Sequence, residues 1–394
     1  MRLKIQKTAI AVLYVSALLP LAGHAVEDGR GRIERMVAQT VEPVMQQYGI
    51  PGMAVGIIIK GQGYVYDYGV ASKAGRPVTR DTLFEVGSIS KTFTATLASY
   101  AQVTGKLSFS DSASRFLPAL RGGSLDKVSL LNLGTHTPGG MPLQVPDEIT
   151  TDEQLMAYFR GWKPAYAPGT YRTYSNPSIG LLGVIAAKSM NRDFTVLIQN
   201  ELLPSLGMKN TYLNVPPLQM QNYAQGYSAA DGPIRMAPGI LGLEAYGIKT
   251  TAEDLLRFVK ANMRLVDIDQ NWQKAIVNTH TGYYRIGTMT QDLIWEQYPY
   301  PVALDALLAG NSAKMIYEAN PATQLEPPIP PHDEVLINKT GSTNGFSAYV
   351  AFVTGKKIGV VLLANKSYPI DARVTAAYKI LMRLGAENQD VPGS

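Results

Sequence analysis

The sequence predicts an α+β fold: an antiparallel sheet built from both ends of the chain and flanked by helices, with a mostly helical domain inserted between those ends. Two hairpin patterns and the stretch that separates them predict it. Ala54 to Ile59 and Tyr64 to Tyr68 read as strands joined by Gly61-Gln62-Gly63. Phe346 to Val353 and Ile358 to Leu363 read as a second pair around Thr354-Gly355-Lys356. The chain between them reads as helices and loops. The expected division is a discontinuous α/β domain over 26–100 and 245–394, with the helical domain over 101–244.

In chain order, Arg2, Lys4 and Lys7 precede the apolar stretch Thr8 to Leu21, and Gly23-His24-Ala25 supplies small residues for a cleavage site. The expectation is a leader cleaved after Ala25, a periplasmic mature chain and no membrane anchor, because the apolar stretch is too short to span a bilayer. Ile33, Met36, Val37, Val41 and Val44 recur at helical spacing, with Pro43 expected to bend or end that helix. Thr92 to Tyr100 is an apolar helical run that sets Ser88 near a helix N-terminus. Tyr166-Ala167-Pro168-Gly169 signals a turn and Ile179 to Ala187 a buried helix, which leaves Tyr174 on a loop. A proline-rich connector at Pro327 to Pro331 leads into a strand that starts at Val335-Leu336-Ile337 and carries Lys339. A closing helix from Asp371 to Leu384 brings Val374, Ala377, Leu381 and Leu384 to one face.

Composition excludes several function classes. With no cysteine, disulfides and thiol catalysis are ruled out, so stability has to come from core burial. The formal charge of +5 includes the three basic residues of the leader, and no basic cluster interleaved with aromatics points to nucleic acid or a membrane surface. His136, His280 and His332 are widely separated and lack zinc-ligand spacing, so no metal or other cofactor is expected. His136 reads as a satisfied loop or core residue.

Three short motifs carry the chemistry. Ser88 and Lys91 form an S-x-x-K pair; on a helix, positions three apart share a face, so the Lys91 ammonium lies beside the Ser88 hydroxyl. The helix dipole favours negative charge developing there. A serine hydroxyl becomes a competent nucleophile when a neighbouring base takes its proton. Ser124 and Lys127 repeat the spacing in a polar, Gly-flanked stretch with no other chemistry around it, so spacing alone decides nothing. Tyr174-Ser175-Asn176 follows. A tyrosine pKa of about 10 leaves roughly one phenol in a thousand ionised near neutrality. A cation about 4 Å away contributes roughly 4 kcal/mol at an effective dielectric near 20, enough to lower that pKa by about three units, while burial opposes the shift. Either an anionic Tyr174 or a neutral Lys91 could then serve as the base. Lys339-Thr340-Gly341 supplies a second ammonium; Lys339 and Thr340 can hold a substrate carboxylate or help the proton path, and Gly341 lets an acyl group approach the strand edge.

With these motifs the chain resembles the serine penicillin-recognising proteins, and among them the class C (AmpC-type) β-lactamases. Pro51-Gly52-Met53-Ala54-Val55, Pro142-Leu143-Gln144-Val145-Pro146, Tyr174 to Gly180, Glu244-Ala245-Tyr246-Gly247, Lys339 to Gly345 and Leu363-Ala364-Asn365-Lys366 carry the resemblance through nearly the whole mature chain. The Y-S-N triplet resembles class C, where class A has S-D-N. The resemblance implies a β-lactamase/transpeptidase-like fold and a monomer acting on small β-lactams, cephalosporins and penicillins. It also implies a Ser88 acyl-enzyme, activation by Lys91, proton exchange through Tyr174, and an oxyanion hole made by the backbone N–H groups of Ser88 and Ser342. Gln144, Asn176, Tyr246, Thr340, Gly341, Asn344 and Arg373 would bind substrate, Arg373 at the substrate's carboxylate. Two departures bear on substrate preference: Ile370 stands where many members have asparagine and cannot donate a hydrogen bond, and Ser347 replaces a usual glycine. A D-Ala-D-Ala peptidase or related esterase would use the same nucleophile. A penicillin sensor would need membrane helices and a signalling domain, neither of which is visible.

Overall fold

The structure, a computed structural model, describes residues 19–387, with side chains from residue 29 onward. Most of the expected leader, residues 1–25, lies outside the described residues. Ten strands form one sheet: β1 (Gly52–Ile59), β2 (Gln62–Ser72), β3 (Arg76–Pro77), β4 (Gly282–Ile286), β5 (Met289–Gln291), β6 (Glu296–Pro299), β7 (Thr323–Ile329), β8 (Val335–Ser342), β9 (Ser347–Val353) and β10 (Ile358–Ala364). Their spatial order is β7-β4-β5-β6-β8-β9-β10-β1-β2-β3, antiparallel throughout. The two ends of the chain meet where β1 pairs with β10, Met53 opposite Ala364 and Ile58 opposite Gly359.

Successive strand residues point to opposite faces, and here both faces are covered. Ala54 and Ile58 of β1, with Val361 and Leu363 of β10, pack into one core together with Phe93 and Phe258. Met53, Val55, Ile57 and Ile59, with Val360 and Leu362, pack into a second core together with Val37, Val41, Val374 and Ile380. Helices that contribute to the two cores include α1 (Leu19–Tyr48), α2 (Ser90–Val103), α3 (Asn176–Ser189), α4 (Ala252–Asn262), α5 (Gln270–Asn278) and α6 (Ile370–Glu387). Burying one large aliphatic side chain contributes about 1.5–3 kcal/mol. Two such cores stabilise the fold without any disulfide. On β8, Val335 and Ile337 face the α2 side while Leu336 faces the α1 and α6 side, so the period of two brings Lys339 toward α2.

The expected α+β fold is present, with local corrections. Pro43 does not end the first helix, which continues through it to Tyr48. Pro327 and Pro328 are not connector: they lie in β7, an edge strand, where a missing N–H leaves no ladder bond unmade. The stretch between the two hairpins is less helical than expected, because β4, β5 and β6 come from it. Their short, polar runs, such as Met289-Thr290-Gln291, lack strand alternation.

Candidate active site

A single helical turn, Gly87–Ile89, presents Ser88 just before α2 begins. The turn is possible because Gly87 takes φ +49 and because a Cβ there would meet the Ser342 backbone at 2.4 Å. A Cβ on Gly341 would meet the Val86 carbonyl oxygen at 1.9 Å. The Ser88 segment and β8 therefore touch backbone on backbone.

Lys91, one turn into the helical run, is fully buried. Its Nζ donates to Ser88 Oγ at 2.8 Å and to the Ala245 carbonyl at 2.9 Å, which aims the ammonium at the hydroxyl. Tyr174 lies on the loop before α3, as expected, and is 8% exposed. Three cations surround its ring: Lys339 Nζ at 5.1 Å from the centroid, Lys91 Nζ at 5.2 Å and the Arg172 guanidinium carbon at 5.4 Å. Burial lowers the Lys91 pKa to about 8, with Tyr174 opposing and Lys339 reinforcing the shift. Burial pushes the Tyr174 phenol up, yet Lys339, Lys91 and its hydrogen bond with Ser88 together bring it down to about 8. The two groups titrate as a pair.

Lys339 sits on β8, 1% exposed, 3.6 Å from Glu296 Oε1. The same carboxylate oxygen pairs with Arg172 Nη2 at 3.0 Å. Arg172 is fixed further by Gln291 Oε1 at 2.6 Å and the Met315 carbonyl at 2.7 Å. Glu296 reaches the site because β6 pairs with β8 in a register that sets it opposite Asn338.

A crevice of about 190 Å³ joins these groups, lined among others by Ser88, Gln144, Tyr174, Asn176, Lys339, Thr340, Gly341 and Ser342. Asn176 opens α3, and its Oδ1 is buried with no hydrogen-bond partner, a free acceptor at the crevice wall. Gln144 also lines an adjoining hollow with Tyr246 and Pro238. Two expected contacts lie elsewhere. Asn344 is exposed on the turn after β8, off the crevice wall. Arg373 is 1% exposed behind β8, where its guanidinium donates to the Gly341 carbonyl and to Ser342 Oγ, both at 2.7 Å, so it can reach a ligand only through Ser342. Of the two departures, Ile370 lines the crevice, whereas Ser347 is buried and its hydroxyl accepts the Tyr368 N–H. His136 is buried as expected, but only half satisfied. Its Nδ1 accepts from the Ser175 N–H, its Nε2 has no partner, and its ring lies 4.5 Å from that of Tyr174.

Arg172, Glu296, Asn311, Met315, Ile316 and Tyr317 also line the crevice, and sequence reasoning had singled out none of them. No local spacing marks them, since each depends on sheet register or on a distant loop.

The beta-lactamase family profile matches residues 37–383. The chain belongs to that family. It is 54% identical to a beta-lactamase of Lysobacter lactamgenus over 357 residues, 90% of this chain and 93% of that one. Among solved structures, a class C beta-lactamase in complex with cefoxitin is 54% identical with a TM-score of 0.88, covering 90% of this chain and 99% of the other. A D-alanine carboxypeptidase from Burkholderia cenocepacia is 54% identical with a TM-score of 0.87, over the same shares. The fold is that of the β-lactamase/transpeptidase group, and the chain is a serine hydrolase of the class C type.

Proposed function

We propose that the protein hydrolyses β-lactams in two steps through an ester on Ser88. The observation that carries this reading is the 2.8 Å contact of Lys91 Nζ with Ser88 Oγ, beside a buried phenol ringed by cations. In the first step the Ser88 oxygen attacks the lactam carbonyl carbon and its proton passes to the Lys91–Tyr174 pair. The carbon–nitrogen bond then breaks and the departing nitrogen takes the proton back through Tyr174. In the second step water attacks the ester carbonyl, leaves its proton on the same pair, and Ser88 departs with it. Either member can be the base, because both are drawn to about 8.

The Ser88 and Ser342 backbone N–H groups would hold the carbonyl oxygen; loss of one such donor costs about 2.7–4 kcal/mol of barrier. Asn176 and Gln144 would bind the substrate's amide side chain, with Tyr246 as one wall of the pocket. Lys339 and Thr340 would hold the substrate carboxylate, with Arg373 acting behind Ser342, and Gly341 would let the acyl group approach the strand edge. Export to the periplasm with cleavage after Ala25, a monomeric state, and activity on cephalosporins and penicillins complete the reading.

Ser88→Ala is expected to lower nitrocefin turnover by roughly 10⁴-fold or more. Wild-type turnover by that variant would overturn the proposal. D-alanine carboxypeptidase action is the second reading, supported by the activity named for the Burkholderia relative. A long-lived penicilloyl adduct in intact-mass spectra would favour it.

A further inference from the structure

We propose that Glu85 is a positioning residue that keeps the two halves of the oxyanion hole in register, acting through Thr343. The inference rests on the acyl-enzyme reading, since it concerns the Ser88 and Ser342 N–H groups assigned there. Glu85 lies shortly before Ser88 in the chain, and Thr343 directly follows Ser342. One buried carboxylate thus joins the flanks of both donors.

Glu85 is 1% exposed. Its Oε2 accepts from the Thr343 hydroxyl, and its Oε1 accepts from the Tyr223 hydroxyl and from the Met236 backbone N–H at 2.8 Å. Among the described residues no lysine or arginine forms an ion pair with it. Lys249, on the neighbouring strand, donates its ammonium to the Leu213 carbonyl, and Arg235 lies over the Tyr223 ring. A buried charge with no cation in direct contact is costly unless hydrogen bonds compensate; three charge-assisted bonds do so here, and the Lys249 charge on the facing strand position adds a longer-range attraction. Burial, and then the Glu85 charge, keep the Tyr223 phenol above its ordinary pKa, so it remains a donor.

Two of those donors, Tyr223 and Met236, belong to the scaffold. The third, Thr343, belongs to the segment that completes the site. Where the Ser88 segment meets β8, Gly87 and Gly341 bring backbone against backbone, with the Ile89 side chain beside Gly341. That contact sets how closely the segments approach, but neither it nor the nearby Phe84–Phe346 edge contact is a directional bond against sliding. Arg373 holds Ser342 from behind, through its Oγ and the Gly341 carbonyl. The Glu85–Thr343 bond supplies the missing restraint along the segment. Carbonyl oxygens are sensitive to such a slip, since a 1 Å misplacement can cost about 10²-fold in rate. A glutamine at 85 could still receive two donors on its oxygen while its amide donates to Thr343 Oγ1, so the tie would survive.

The test uses the mature enzyme carrying Thr343→Val, Thr343→Ser or Glu85→Gln, with benzylpenicillin as the probe. Stopped-flow acylation is measured together with the infrared carbonyl band of the Ser88 ester, which moves to higher wavenumber as hydrogen bonds to the carbonyl weaken. Thr343→Val is expected to slow acylation about 10- to 100-fold with non-covalent binding within about two-fold, and to raise the band. Thr343→Ser and Glu85→Gln are expected to recover most of the rate and the wild-type band. Wild-type acylation by Thr343→Val would overturn the proposal, as would a lost rate with an unmoved band, which a loosened fold alone would produce. Failure of the serine variant to recover would also overturn it. Ser88→Ala is run in parallel: if that variant still turns over nitrocefin, it is the acyl-enzyme reading that fails.

Discussion

The β8 wall of the crevice and the wall that faces it differ in how tightly their side chains are held. On β8, Lys339 is 1% exposed against Glu296, and Arg373 braces Gly341 and Ser342 from behind. Across the gap, Gln144 is exposed and its side chain has no hydrogen bond among the described residues, while Tyr246 is half-buried beside it. Groups that move protons need fixed positions and a dry setting, and the β8 side with Lys91 and Tyr174 provides both. Groups that sort substrates need only present a surface. Substitutions on the two walls should therefore fail differently.

Lys339→Ala should have the largest effect, lowering kcat/KM by roughly 10³-fold by analogy with the loss of an electrostatic stabiliser. Its direction with pH is also set. Lys339 lowers the pKa of both Lys91 and Tyr174, so its removal raises both. Activity that depends on a deprotonated member is lost as pH falls, and the acidic limb of kcat/KM should move to higher pH whichever member is the base. A limb that stays in place would erase the distinction between the walls. Where Tyr174 is the base, Glu296→Gln should move the limb the other way, because the Glu296 charge raises Tyr174, and an unmoved limb would point to Lys91. The same substitution should also destabilise the fold by about 3–5 kcal/mol, since Arg172 would be left buried without its counter-ion. Chemical denaturation reads that cost.

On the facing wall, Gln144→Ala is expected to raise KM about ten-fold for substrates with an amide side chain, while stability changes by less than about 0.5 kcal/mol. A comparable fall in kcat would place Gln144 with the proton-moving groups. Ile370→Asn should give the smallest effect, a lowering of KM by a few-fold, or about 1 kcal/mol from one added hydrogen bond to a substrate carboxylate. Steady-state kinetics with a cephalosporin and a penicillin test both.

The sheet and part of the site were legible in the sequence for specific reasons. Ser88 and Lys91 could be paired because a three-residue step on a helical run fixes their contact, and the 2.8 Å bond follows from it. The hairpins at 54–68 and 346–363 were legible because continuous apolar runs meet glycine-rich turns. Glu296 was not. It follows Trp295 in a stretch without strand alternation, and only the β6–β8 register carries it to Lys339. Arg172 escaped notice because its partners, Gln291, Glu296 and Met315, are all more than a hundred residues away. Arg373 was found, but its depth was not, because one turn of α6 looks the same in sequence whether it faces a ligand or the underside of a strand.

The glycine pair at 87 and 341 limits where this active site can change. A saturation library at either position would return glycine alone, because even a methyl group would drive the Ser88 turn and its neighbouring strand apart. Adaptation to bulkier antibiotics is thereby channelled to exposed side chains such as Gln144, which can be exchanged while the backbone carbonyls of Leu143 and Ala245 keep their bonds to Asn176 and Lys91.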